Sequence, residues 1–329
     1  MSETYAYAVG NIRACEARLL TRQDIEQLLA VRDTAQLERL LRDKGFGTAQ
    51  DGREIAGDVE ALLQHQTQQL WDYLQRLLPD SPLFVPFLLR NDYHNLKAVI
   101  KGVLSGREYR TLLMREGTVR IETMEEAVRE RAFGRLPAPM GDAAAAAYDM
   151  LAHTADVQSC DAVLDKTAMQ QMLHAAEAAQ QPMLTELMQA TVAYCNFKIA
   201  LRAARAGKSA EFLRRALCEL PQLSVSSLVQ AAAGGVDKVL ELMEQKDLFG
   251  SREAAAQFRK SPSAFEKHAD DALMNIARKG RMQAMGAAPV LGYLVARETE
   301  IKTLHVLFSG LRADQPEQSI RERLRELYV

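Results

Sequence analysis

Apolar residues recur at helical spacing along almost the whole chain. In one stretch they stand three, four or seven positions apart, which places them on a single helix face: Val59, Leu62, Leu63, Leu70, Tyr73, Leu74 and Leu77. No segment shows sustained alternation of apolar and polar residues with β-branched enrichment, as a strand would. The pattern predicts an all-α protein.

Helix starts are marked by hydroxyl residues that precede an acid by three positions. The hydroxyl accepts from an unpaired backbone N–H, and the acid lies at the positive end of the helix. Such pairs occur at Thr21 and Asp24, Thr123 and Glu126, and Ser263 and Glu266. Prolines suited to first turns, where a missing N–H costs nothing, are Pro182, Pro262 and Pro316.

An internal repeat is the most informative feature of the sequence. A triplet of asparagine, an apolar residue and a basic residue starts at Asn11, Asn95 and Asn196, and a relaxed copy starts at Glu300. The basic residues that end these triplets are Arg13, Lys97, Lys198 and Lys302. Successive copies lie roughly a hundred residues apart, a typical domain size.

A second element follows each of the first three triplets. Helical stretches end at Phe46-Gly47, Phe133-Gly134 and Phe249-Gly250. Such an ending predicts a left-handed glycine, with the phenylalanine packed back on its bundle. The ordered recurrence of both elements predicts three similar helical-bundle domains, at 1–90, 91–193 and 194–329, the last including closing C-terminal helices.

Composition and charge narrow the function. The 329 residues exceed the usual size of one hydrophobic core, and 48% of them are hydrophobic. The formal net charge of -2 gives no global reason to expect nucleic acid or an anionic membrane surface as partner.

The cysteines and the termini point to a reducing compartment. Cys15, Cys160, Cys195 and Cys218 form no CxxC pair, unlike the framework of a disulfide-rich secreted protein. Residues 1–10 show no signal-peptide pattern, and no apolar run approaches the length of a spanning helix. We therefore expect a protein that reaches a membrane only through another protein.

Candidate chemistry is incomplete wherever it occurs. Gly207-Lys208-Ser209 resembles the end of a phosphate-binding loop, but Arg202 stands where the loop needs its first glycine, so a helix end followed by a serine cap is favoured. Asp270-Asp271 lacks the third acid of a helical magnesium motif, and the six histidines show no zinc spacing. The sequence therefore predicts no catalytic, metal-binding or cofactor-binding residue.

Basic residues cluster in three places. The first cluster is Arg202, Arg205, Lys208, Arg214 and Arg215; the second is Arg278, Lys279 and Arg281; the third includes Lys97 and Lys101. Cations are common at helix C-termini and on surfaces. Alternatively, the clusters form an electropositive rim for an acidic protein partner. Few aromatic residues interleave with them, which disfavours binding of single-stranded nucleic acid.

Several stretches resemble one protein family in its own order. They are Tyr5-Ala6-Tyr7-Ala8 with Asn11-Ile12-Arg13, Asn91-Asp92-Tyr93-His94-Asn95-Leu96-Lys97, Leu164-Asp165-Lys166, Asn196-Phe197-Lys198, Glu298-Thr299-Glu300-Ile301-Lys302, and the tail from Ile320 to Val329. The chain is thereby similar to the C subunits of the V-type (A/V-type) ATP synthases, a family related to the d subunit of the eukaryotic V-ATPase. It departs from the family at Tyr194-Cys195 and at Glu300.

The resemblance implies a fold and a task. Family members are funnels of three similar helical domains about a pseudo-threefold axis, without chemistry of their own. They sit as a monomer within the complex, on the cytoplasmic face of the membrane, between shaft subunits D and F and the proteolipid rotor ring. ATP synthesis or hydrolysis is thereby coupled to H⁺ or Na⁺ transport. The basic clusters would then contact the shaft or the ring.

Two other functions stay open from the sequence. The chain could be a free-standing helical adaptor with unrelated partners, which gene neighbourhood would distinguish. It could also be a helical metal-dependent enzyme built around Asp270-Asp271, which a Mg²⁺ titration would test.

Overall fold

The computed structural model describes residues 2–31, 33–47 and 57–329. Within them every regular element is helical, and the only β-type pairing in these ranges is one isolated bridge between Leu220 and Leu223. The prediction of an all-α protein is confirmed.

Sixteen α-helices make up the fold of this described part of the chain. The first eight are α1 (Ser2–Glu16), α2 (Arg22–Leu29), α3 (Thr34–Asp43), α4 (Val59–Leu77), α5 (Val85–Ser105), α6 (Ile121–Arg129), α7 (Ala138–Thr154) and α8 (Val157–Ala178). The others are α9 (Pro182–Ala206), α10 (Ala210–Ala216), α11 (Val225–Ala233), α12 (Val236–Lys246), α13 (Ser251–Lys260), α14 (Pro262–Arg278), α15 (Ala287–Arg312) and α16 (Glu317–Arg321).

The chain forms two compact units. The first, which we call the terminal unit, combines residues 1–81 with residues 256–329, and the second, the central unit, holds residues 82–255. These boundaries differ from those of the three predicted domains, and the threefold division stays a prediction.

The core of the terminal unit brings the two ends of the sequence together. Apolar residues of α2, α3 and α4 pack with residues of α15 and of the C-terminal tail. The predicted stripe of α4 is buried as expected, except that Tyr73 is only half-buried. Its neighbour Trp71 is also buried.

The core of the central unit is built around α5. Buried residues of α5, α6, α7 and α8 form one cluster that includes Tyr93 and Leu164. Small residues of α7, such as Ala144 and Ala147, are fully buried in this cluster. Their short side chains let neighbouring helices pack closely against α7. Helix α9 continues this unit and packs against α8, α11 and α12.

The predicted helix starts are confirmed in part. Thr21 and Asp24 form a full capping box at α2, and Pro182 and Pro262 occupy first turns. At α14 the cap is Ser261, not Ser263. Thr123 lies inside α6, because that helix begins two residues earlier. Pro316 immediately precedes α16 rather than lying within it.

Candidate partner interface

The repeated asparagines of the central unit make identical contacts. The Asn95 side chain donates to the carbonyl of Met114 at 2.7 Å and accepts from its N–H at 2.8 Å. Asn196 does the same with Cys218, at 2.7 and 3.0 Å. Both asparagines are buried, so each amide satisfies two backbone groups that water could not reach. We call this arrangement the clasp.

In the terminal unit Glu300, from the relaxed copy of the triplet, makes the matching contact. This carboxylate, on α15, accepts from the backbone N–H of Leu20. A carboxylate has no N–H to offer, so it cannot also donate to the Leu20 carbonyl as an amide would. Glu300 is instead ion-paired with Arg297. Burial raises the pKa of Glu300, while Arg297 opposes that shift.

The first triplet behaves differently from the other copies. Asn11 donates to the carbonyl of Tyr7 at 2.9 Å, within its own helix. Arg13 pairs with Glu16 and donates to the carbonyls of Gly280, Arg281 and Gln283. Arg13 thus holds the turn before α15, and the clasp of the terminal unit comes from the other end of the sequence.

Residues two positions before or after the clasp residue also recur in equivalent roles. Tyr93 donates to Gln171 at 3.0 Å, and Tyr194 donates to the carbonyl of Phe249 at 2.8 Å. After the clasp residue, lysines pair with aspartates: Lys97 with Asp165 at 2.5 Å, and Lys302 with Asp270 at 2.6 Å. Lys198 holds the same sequence position in its triplet.

The three Phe-Gly pairs adopt different geometries. At the first pair the prediction is met, since Phe46 is buried and Gly47 has a φ of +77°. At the third pair Gly250 is left-handed, but Phe249 shares that conformation and is only half-buried. At the second pair Phe133 and Gly134 lie in a 3₁₀ turn, and Arg131 takes the positive φ instead.

The first and third Phe-Gly pairs each contact a residue that stands two or three positions before a triplet. In the terminal unit the guanidinium of Arg297 lies 5.6 Å from the ring centre of Phe46 while it pairs with Glu300. In the central unit the Tyr194 hydroxyl reaches the Phe249 carbonyl. Two separate sequence signals therefore belong to one local structure.

The first basic cluster is exposed on the central unit. All five of its residues, Arg202, Arg205, Lys208, Arg214 and Arg215, lie on the surface around the turn from α9 to α10. Arg215 pairs with Glu211, and Lys208 lies over the ring of Phe212 at 5.5 Å. The cluster ends just before the clasped residue Cys218.

Residues of the second and third clusters form contacts within the chain. Arg278 pairs with Glu326 at 2.7 Å, and Arg281 donates to the carbonyl of Tyr328 at 2.9 Å, so both hold the C-terminal tail. Lys97 and Lys101 bind aspartates of α8. Lys279 is exposed next to the tail-binding arginines.

The incomplete motifs have structural roles. Gly207 ends α9 with a φ of +61°, and Ser209 caps α10 by accepting from the N–H of Phe212 at 3.2 Å. Asp270 pairs with Lys302 and Arg325, and Asp271 pairs with Lys267. Among the described residues no group of three or more histidine, cysteine or acidic side chains is placed to hold a metal ion.

Sequence reasoning missed the role of Asp92 as an anchor. Its buried carboxylate accepts from the N–H and the hydroxyl of Thr118, at 2.9 and 2.6 Å, and from the N–H of Val119. Asn91 beside it donates to the carbonyl of Glu116. Burial raises the pKa of Asp92, and these donors oppose the shift. Adjacent polar residues inside an apolar helical pattern were the signal that could have revealed it.

The geometry defines a class of protein: an all-α protein in which recurring buried polar residues hold chain segments against long helices. No described helix has the length and apolar character needed to cross a membrane. Residues 8–323 match the family model of the ATP synthase (C/AC39) subunit, so the chain belongs to that family.

Similar proteins cover almost the whole length. The C subunit of the V-type sodium ATPase of Enterococcus hirae is 22% identical, over 96% of this chain and 97% of that protein. The C subunit of the A-type ATP synthase of Methanocaldococcus jannaschii is 26% identical, over 98% of this chain and 86% of that protein. The C subunit of the V-type ATP synthase of Thermus thermophilus is 24% identical, over 97% of this chain and 99% of that protein. The chain is therefore an accessory subunit of a rotary ATPase and not a catalytic one.

Proposed function

We propose that the chain is the socket of the central stalk, joining shaft subunits D and F to the membrane rotor ring. In this role it transmits rotation, so that ATP synthesis or hydrolysis is coupled to H⁺ or Na⁺ movement. It would lie on the cytoplasmic face of the membrane, held there through the ring. The name of the Enterococcus relative mentions sodium, but the ring and not this subunit would select the ion.

The recurrence of the clasp carries this proposal. A part that transmits torque needs walls that do not yield, and buried, fully paired polar groups make a local structure rigid. Asn95, Asn196 and Glu300 each fix a chain segment against a long helix. Three walls, each held by a buried polar side chain, are what a funnel of three similar domains requires.

Exposed charge and apolar surface on the central unit support a role in docking. The first basic cluster holds five cationic side chains, and the same stretch of sequence contains one acid, Glu211. The Met114 segment exposes apolar surface, with Leu112 58% and Met114 41% exposed. An exposed basic cluster suits an acidic partner, because charge speeds association, and buried apolar contacts slow release.

The first basic cluster offers the sharpest test, since the second is occupied by the tail. We expect the double variant Lys208→Glu, Arg214→Glu to fold normally and to recover less of the shaft pair or of the ring in co-purification. The matched control is Arg120→Glu, Lys246→Glu, which makes the same charge change at exposed positions of the same unit.

Shaft and ring are assayed separately, which assigns the cluster to one of them. Unchanged recovery of both partners with the cluster variant would contradict a contact at this cluster. A chain that binds neither partner even without substitution would contradict the socket itself.

A further inference from the structure

A cavity of about 530 Å³ lies within the terminal unit. It opens between the end of α1, the end of α3, and helices α4 and α15. Its polar lining includes Arg18, Lys44, Gln66, Tyr73, Arg76 and Arg297. The volume lies in the range of small-molecule sites, which is about 300–1,000 Å³.

The formal charge of the lining has one sign. Four cationic side chains come from four different segments, and the described lining residues include no carboxylate. Lys44 pairs with Asp24 and Arg297 pairs with Glu300, and neither acid lines the cavity. Arg18 is exposed, and Arg76 lies in the last turn of α4. The lining therefore presents only cationic and neutral groups to a ligand, which favours an anion.

One of these cations is held in position before any ligand arrives. Arg297 donates to Gln66 at 2.7 Å, pairs with Glu300 and lies over the Phe46 ring. A guanidinium fixed in this way loses little entropy when it binds, and its planar fork matches the oxygens of a phosphate group.

Neutral donors complete the lining. Burial raises the pKa of Tyr73 and of Tyr293, so both hydroxyls keep their protons at neutral pH. The Sγ of Cys15 donates to the Tyr73 hydroxyl oxygen at 3.3 Å, which leaves the Tyr73 proton available to an acceptor. The two tyrosine rings meet edge to face, 6.4 Å apart.

We propose that this cavity binds a small phosphate-bearing anion. The guanidinium groups would hold the phosphate oxygens by charge-assisted hydrogen bonds, and the tyrosines and glutamines would fill the remaining contacts. The phosphate group could belong to a free polyphosphate or to a nucleotide, since the cavity has room for either. This proposal is separate from the socket function, because it concerns the isolated chain.

Isothermal titration of the full chain with inorganic pyrophosphate and with ADP, at constant ionic strength, tests it. We expect saturable binding of at least one probe, weakened about tenfold by Arg18→Gln or by Arg76→Gln, the usual effect of losing one charge-assisted hydrogen bond. Arg39→Gln is the matched control: Arg39 is exposed on α3 and lies outside the lining.

The two probes separate the sources of the phosphate group. Pyrophosphate binding without tighter ADP binding supports a free polyphosphate, whereas tighter binding of ADP supports a nucleotide whose ring lies among the aromatic side chains. If neither probe binds saturably, or if Arg39→Gln weakens binding as much as the cavity variants, the proposal is overturned.

Discussion

The clasp of the central unit and the clasp of the terminal unit solve one problem with different chemistry. Asn196 closes its clasp with a neutral amide that donates and accepts, and it needs no third group. Glu300 closes its clasp with a charge that only accepts, so it depends on Arg297. The neutral clasp is self-sufficient, while the charged clasp brings in a second residue and a dependence on pH.

The largest expected effect comes from removing the partner of the charged clasp. Arg297→Met leaves the Glu300 carboxylate buried without its cation, and we expect a loss of about 3–5 kcal/mol in the free energy of unfolding. Chemical denaturation followed by circular dichroism measures it.

The control for this prediction is the double variant Arg297→Met, Glu300→Gln. A neutral pair in place of a buried ion pair is often tolerated, so most of the lost stability should return. A double variant as unstable as Arg297→Met alone would show that the loss comes from packing and not from the unpaired charge.

The second prediction compares two copies of the same triplet. Asn196→Leu leaves the buried N–H and carbonyl of Cys218 without partners, and we expect a loss of about 2–3 kcal/mol in the free energy of unfolding. Asn11→Leu, in the first copy, removes only one bond within its own helix and should cost less than about 1 kcal/mol. Thermal and chemical unfolding measure both losses. Equal losses in the two variants would mean that the clasp contributes no more to stability than a hydrogen bond within one helix.

This difference between the triplets marks how far the sequence could predict the structure. The helical class, the α4 stripe and the α2 capping box follow from local patterns, and the structure contains them. The triplet predicted a repeated element, but it did not predict which chain segment each copy binds. Asn95 and Asn196 bind residues 19 and 22 positions further on. Leu20 comes only a few residues after the end of α1. The chain is therefore too short to turn back there and place the Leu20 backbone beside Asn11.

The clasp of the terminal unit was therefore out of reach for local reasoning. Glu300 reaches Leu20 across 280 residues of sequence, and only the packing of α15 against the N-terminal helices brings them together. The second basic cluster was unpredictable for the same reason. Its arginines bind the C-terminal tail, a partner that no spacing rule connects to them.

The smallest expected effect is the pH dependence that distinguishes the two clasps. The folded-state pKa of Glu300 is raised, so the folded chain holds this proton more tightly than the unfolded chain does. Glu300 therefore contributes most to stability at pH values below its unfolded pKa, near 4.5. This contribution is lost as the pH rises through the higher folded pKa. In Glu300→Gln the side chain has no titratable proton. The free energy of unfolding of the parent chain, minus that of Glu300→Gln, should therefore fall as the pH rises above about 4.5.

Asn196→Ala serves as the control, because it removes a clasp side chain that does not titrate. The difference in free energy of unfolding between the parent chain and Asn196→Ala should stay constant over the same pH range. A difference for Glu300→Gln that is flat or rises with pH would mean that Arg297 outweighs burial, and that the charged clasp is stabilised by its ionisation.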